Sequence, residues 1–176
     1  GTGAIGTLPY EAGNIPSVVV GDTATYTFAQ PFAQAPVVMA TPVYSTTMYP
    51  LMWRVFDITP TGFKIVLQRQ KGNDALNKSR IKADLSFFAI AKGSGVDGTG
   101  KMFTVRDTLV SFTNSSSLKK LEYGETYTNP VVLVQMQTLN KNVAAILRTR
   151  PYGPENDNIR VRYQIDNTDT DFTVST

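Results

Sequence analysis

The sequence predicts an all-β protein made of two tandem antiparallel β-sandwich units of about six strands each. Three observations lead there. Apolar residues recur with the two-residue period of strands, turn signals separate these runs at short intervals, and no stretch shows a convincing 3.6-residue pattern. Charged residues make up 18% of the 176, below the about one quarter usual in soluble domains. The helix formers Glu and Lys are correspondingly scarce, which again favours strands.

Each element has its own signal. Tyr26 and Phe28 alternate with Thr25 and Thr27, as a half-buried strand requires. Val37, Val38, Met39 and Ala40 form an apolar run just after Pro36, and Leu51 to Ile58 form another, carrying Trp53, Val55 and Phe56. Phe63, Ile65 and Leu67 alternate with Lys64, Val66 and Gln68. Leu85 to Ala91 is almost unbroken, which predicts a central strand covered on both faces. Turns are expected at Gly21-Asp22, Thr59-Pro60-Thr61-Gly62 and Gly72-Asn73-Asp74. In the second of these, Pro60 presets φ for the second turn position and Gly62 can adopt a positive one before the next strand.

The second half echoes the first. Ala35-Pro36-Val37-Val38-Met39 corresponds to Asn129-Pro130-Val131-Val132-Leu133, and Tyr26-x-Phe28-x3-Phe32 to Leu121-x-Tyr123-x3-Tyr127. Eighteen positions separate Pro36 from Arg54 and also Pro130 from Arg148. Phe63 to Gln68 aligns with Ile159 to Gln164 after a slightly longer turn, and Leu85 to Ala91 should correspond to Phe172 to Thr176. The Gly-rich stretch Gly93 to Gly100 reads as a flexible joint, giving a first unit over 1–95 and a divergent second over 96–176.

Composition excludes several classes of function. There is no Cys and no His, so disulfides, thiolate metal sites and most nucleophile–base pairs drop out. The acids show no pairing suited to catalysis, so a non-enzymatic protein without cofactor or metal is expected. Asp166, Asp169 and Asp171 have spacing that calcium could use, but a solvated loop is the favoured reading. The net charge of +3 is too mild to call for a nucleic-acid partner. No run approaches the roughly 18 apolar residues of a membrane span, so no membrane insertion is expected. The chain opens on Gly1 with no signal peptide, which suggests a processed product or an excised fragment.

The string Tyr26-Thr27-Phe28-Ala29-Gln30-Pro31-Phe32-x3-Pro36-Val37-Val38, followed by Asp57-Ile58-Thr59-Pro60-Thr61-Gly62-Phe63-Lys64, resembles the H-type lectin family. That family includes the snail agglutinins and the carboxy-terminal domain of slime-mould discoidins, and similar repeats occur in bacterial and phage surface proteins. The resemblance implies a six-stranded antiparallel sandwich, a homotrimer, and galactose-type sugars bound between subunits. The family's Trp-His pair is replaced here by Gln70-Lys71 in the first unit and approximately by Ile165-Asp166 in the second, and Pro50 stands where the family has an Arg. Its galactose site therefore does not carry over residue by residue.

The candidate carbohydrate-binding residues are Tyr44, Tyr49, Trp53, Arg69, Gln70, Lys71 and Tyr152. Loops at a sandwich end commonly carry binding residues, and aromatic rings stack on the apolar face of a pyranose. For Trp53, the sole Trp, core packing in a strand is the favoured reading. Arg69, Lys71, Lys78, Arg80 and Lys82, with Asp74 among them, read as a solvated hairpin loop or as a contact for an anionic polymer or charged sugar. The expected role is adhesion or recognition of a glycan or cell-surface polysaccharide, outside the cell or on a virion surface. The alternative is a structural assembly module of a virion, tail fibre or surface protein with no sugar site.

Overall fold

The computed structural model describes residues 1–43, 51–69, 81–110, 112, 118–139, 145–149 and 154–165. Among them the protein is all-β, with twelve strands, antiparallel sheets and no helix. The chain divides into two compact units. One comprises Gly1–Asp107 with Gln137–Leu139, the other Thr108–Met136 with Asn140–Thr176.

Among its described residues the first unit holds nine strands: β1 (Thr2–Ile5), β2 (Leu8–Val19), β3 (Thr23–Thr27), β4 (Val37–Val43), β5 (Leu51–Thr59), β6 (Gly62–Arg69), β7 (Lys82–Ile90), β8 (Gly93–Val96) and β9 (Met102–Val105). They form a four-stranded sheet of order β1-β2-β7-β4 and a three-stranded sheet of order β3-β6-β5, with β8-β9 as a separate hairpin. Strands β3 to β7 stand where the alternation and the apolar runs place them. β7 is central as expected, but it is not covered on both faces, since its outward residues Lys82 and Asp84 are exposed and Ser86 and Phe88 only half-buried. The inward residues of the two sheets meet in one core: Ile15, Val38, Leu85, Phe87 and Ala89 from one side, and Val55, Phe63, Ile65 and Leu67 from the other. Burying such side chains contributes roughly 1.5–3 kcal/mol each. The aromatic centre is tight, with Tyr26–Phe87 ring centroids 4.3 Å apart and Phe63–Phe87 5.2 Å apart.

Strand β2 has no clean period in the sequence because Pro9, Gly13 and Pro16 interrupt it. The structure accommodates each. Between Ile15 and Val18 the register against β7 shifts, and Ser17 takes a positive φ of 54° while its N–H donates to Asp84 Oδ1 at 2.7 Å. This bulge turns both Ile15 and Val18 inward. Gly13 lies opposite Phe87, whose ring would be 2.8 Å from an added Cβ; Gly3–Tyr10 and Gly95–Phe103 are built the same way. In each pair the ring covers the strand where the glycine has no side chain.

Two further expectations are corrected. Gly62 does not have a positive φ. Its role is close approach, because an added Cβ would lie 2.2 Å from the Tyr26 carbonyl oxygen. The left-handed residue of this corner is Asp57, at φ 49°, in a second bulge between Phe56 and Thr59. The Gly-rich stretch taken for a joint is a hairpin of the first unit, β8 against β9. Asp97 Oδ1 closes its turn, accepting from Thr99 N–H, Thr99 Oγ1 and Lys101 N–H.

The second unit holds β10 (Lys119–Glu122), β11 (Ala145–Thr149) and β12 (Asn158–Ile165) in a sheet of order β10-β12-β11. Among its described residues Ala145, Ile159, Val161 and Tyr163 are the buried apolar ones. Its internal geometry repeats that of β3-β6-β5. Tyr26 pairs with Phe63 as Leu121 pairs with Ile159, and Arg54 with Val66 as Arg148 with Arg162. Phe28 N–H donates to Thr61 O and Phe32 N–H to Pro60 O; Tyr123 N–H donates to Asp157 O and Tyr127 N–H to Asn156 O. Both units then set an edge-on aromatic pair, Phe28–Phe32 at 4.9 Å and Tyr123–Tyr127 at 5.9 Å.

The correspondence stops at Pro130-Val131-Val132-Leu133. These residues form no strand, and Val131 and Leu133 are 91% and 72% exposed. Strand β4 owes its ladder to β7. The segment expected to play that part here, Phe172 to Thr176, lies outside the described residues.

Candidate functional site

Of the sequence-derived candidates, Trp53 is the one whose side chain is described. It sits on β5 opposite Leu67, half-buried and packed against the first unit's core, which is the core-packing role. Arg69 ends β6 opposite Leu51, but its side chain is outside the described residues, as are Tyr44, Tyr49, Gln70, Lys71 and Tyr152 entirely. Lys71, Lys78 and Arg80 of the basic cluster also fall outside, whereas Lys82 opens β7 and is exposed.

Two buried polar side chains of the first unit, Glu11 and Arg54, are engaged in holding the fold. Glu11, 3% exposed, accepts Tyr26 Oη–H through Oε1 at 2.8 Å and Ala29 N–H through Oε2 at 2.9 Å. It ties β2 to the far end of β3, across the aromatic core. Arg54 lies on the face of β5 turned away from that core. Its Nε and Nη2 donate to Thr138 O at 3.1 and 2.7 Å, while Val38 N–H donates to Gln137 Oε1 at 3.3 Å. Arg54 and Val38 thereby hold the segment Gln137–Leu139 in the first unit. Burial lowers the pKa of Arg54 below its ordinary value. Among the described residues no group of three or more acids converges as metal ligands would.

Burial raises the Tyr26 hydroxyl above the ordinary tyrosine value of 10.0, and the hydrogen bond and charge of Glu11 add to this. Tyr123 and Tyr163 are raised as well, chiefly by burial. The folded state therefore holds these protons more tightly than the unfolded one. Their stabilising contribution is complete below the unfolded pKa of 10.0 and is lost as pH climbs through the raised folded values. A thermal midpoint followed from pH 8 to pH 11 should hold level and then fall above about pH 10, and Tyr26→Phe should reduce that fall.

The outward face of β1-β2-β7-β4 carries a feature that sequence reading passed over. Three adjacent cross-strand rows lie on it: Gly3–Tyr10–Ile90–Val37, Ala12–Phe88–Met39 and Asn14–Ser86–Thr41. Tyr10 and Phe88 are half-buried with ring centroids 5.3 Å apart. Tyr10 also lies over Gly3, whose missing Cβ makes room for the ring. Beside Phe88 the third row supplies hydrogen-bonding groups, and Ser86 Oγ–H donates to Asn14 Oδ1 at 2.8 Å. The adjacent Phe87 and Phe88 were the available signal. Successive residues of a strand point to opposite faces, so one of the two rings had to face away from the core. Comparison with protein-family models, curated proteins and solved structures finds no match.

Proposed function

We propose that this protein is a non-catalytic recognition module that binds a glycan or cell-surface polysaccharide, extracellularly or on a virion surface. The observation that supports this reading is the Tyr10–Phe88 aromatic pair set beside the Asn14–Ser86–Thr41 row on one sheet face. A pyranose has an apolar C–H face and a rim of hydroxyls. An aromatic ring next to amide and hydroxyl groups matches both. A sheet face also holds such groups with less conformational freedom than loops would.

A glycan array probed with the full chain tests this. Binding to at least one glycan is expected, and Phe88→Ala should weaken it about tenfold, as loss of a central aromatic contact does. The thermal midpoint of the variant, measured alongside, separates lost binding from lost folding. Absence of binding to every glycan would move the reading to a structural assembly module. The resemblance to H-type lectins further suggests a homotrimer, for which sedimentation equilibrium should give three times the 19.3 kDa of one chain.

A further inference from the structure

Strand β12 alternates from Ile159 to Tyr163. Ile159, Val161 and Tyr163 point inward and are buried, whereas Arg160 and Arg162 point outward and are exposed. Register places Lys120 of β10 directly opposite Arg160, and Arg148 of β11 directly opposite Arg162. All four are exposed, so one face of this three-stranded sheet carries a contiguous set of cations. It spans about 10 Å across the strands, from the spacing of neighbouring strands.

Folding does not call for this arrangement. Like charges directly opposite each other destabilise a sheet. At the same ladder positions the first unit has Thr25 opposite Lys64 and Arg54 opposite Val66, with no cation facing a cation. The acids that face the set lie toward one end. Glu122 Oε1 is 3.1 Å from Lys120 Nζ, Glu155 Oε1 is 3.9 Å from Arg160 Nε, and Asp157 acts on Lys120 from a greater distance. Among the described residues no carboxylate pairs with Arg148 or Arg162. Ile146, half-buried and two residues before Arg148, adds an apolar contact on the same face.

We infer that the outward face of β10-β12-β11 binds an acidic polysaccharide, with the facing Arg148 and Arg162 taking one sulfate or carboxylate group between them. Guanidinium groups present planar pairs of N–H donors that match these oxyanions. Two arginines that meet no carboxylate among the described residues, with an acidic border, fit a discrete anionic group. A nucleic-acid backbone instead needs a long run of cations, and a net charge of +3 does not supply one. This inference rests on the reading of the chain as a glycan-binding module and gives that reading a ligand class.

The experiment uses the full chain and measures affinity for heparin and polygalacturonate, with dextran as the neutral polymer and duplex DNA as the competing polyanion. Salt-sensitive binding to heparin or polygalacturonate is expected, and Arg148→Gln and Arg162→Gln should each weaken it about tenfold. The double variant Arg148→Gln/Arg162→Gln should weaken it further, whereas Lys64→Gln/Lys101→Gln, which removes the same charge from the first unit, should change it little. Removing the facing charges should leave the thermal midpoint level or raise it. Equal loss in both double variants, or DNA binding as tight as polysaccharide binding, overturns the inference. If glycans bind but acidic polymers do not, or if R148Q and R162Q leave binding intact, the inference fails and the general reading stands. If no glycan binds at all, both fail.

Discussion

Replacing Gly62 with alanine is expected to destabilise the first unit by about 3 kcal/mol or more, as overpacking against backbone does. The added methyl would lie 2.2 Å from the Tyr26 carbonyl oxygen and 3.3 Å from Thr27 Cα. Neither neighbour can retreat cheaply. The Tyr26 ring packs against Phe63 and Phe87, and its hydroxyl is held by Glu11. Moving β3 would therefore disturb the centre of the core. Chemical denaturation of Gly62→Ala beside Gly98→Ala measures the effect. Gly98 has open space around it and no positive φ, so its substitution should be close to neutral.

Truncating Glu11 to alanine should cost about 3 kcal/mol, because it leaves two donors, Tyr26 Oη–H and Ala29 N–H, without their acceptor. Glu11→Gln keeps one acceptor oxygen and should cost less. A double-mutant cycle with Tyr26→Phe should show coupling of about 1 kcal/mol, since the two side chains share one hydrogen bond. Additive losses would mean that the Glu11–Tyr26 bond contributes little to the fold.

These two positions show what the sequence could and could not convey. Strands β3 to β7 were legible because one face of each must be apolar, and a one-residue slip would turn that face to water. Strand β2 was not, since Pro9, Gly13 and Pro16 hide a period that a bulge and the Phe87 ring restore. At Pro130 to Leu133 the reading failed for another reason. Valines after a proline have strand propensity, but a strand exists only where a partner supplies hydrogen bonds. The correspondence between units survives where pairing is local, in β3-β6-β5 and β10-β12-β11.

The candidate sites divide along the same line. Trp53 drew attention as the sole Trp and proved to pack against the core. Phe88 was readable from its neighbour Phe87, given only the alternation of a strand. Arg160 and Arg162 alternate visibly in the sequence, yet their meaning depends on Lys120 and Arg148 lying opposite them, about 40 and 14 positions away. Only the register brings those four together.

The most direct measurement is amide-shift mapping by NMR on the isotope-labelled full chain, titrated with oligosaccharides of neutral and acidic polysaccharides. If the sheet faces are the recognition surfaces, shifts should appear at Tyr10, Ala12, Ser86 and Phe88, and with acidic fragments also at Arg148, Arg160 and Arg162. No shift at saturating oligosaccharide, or shifts that leave both faces untouched, would contradict glycan recognition through these surfaces.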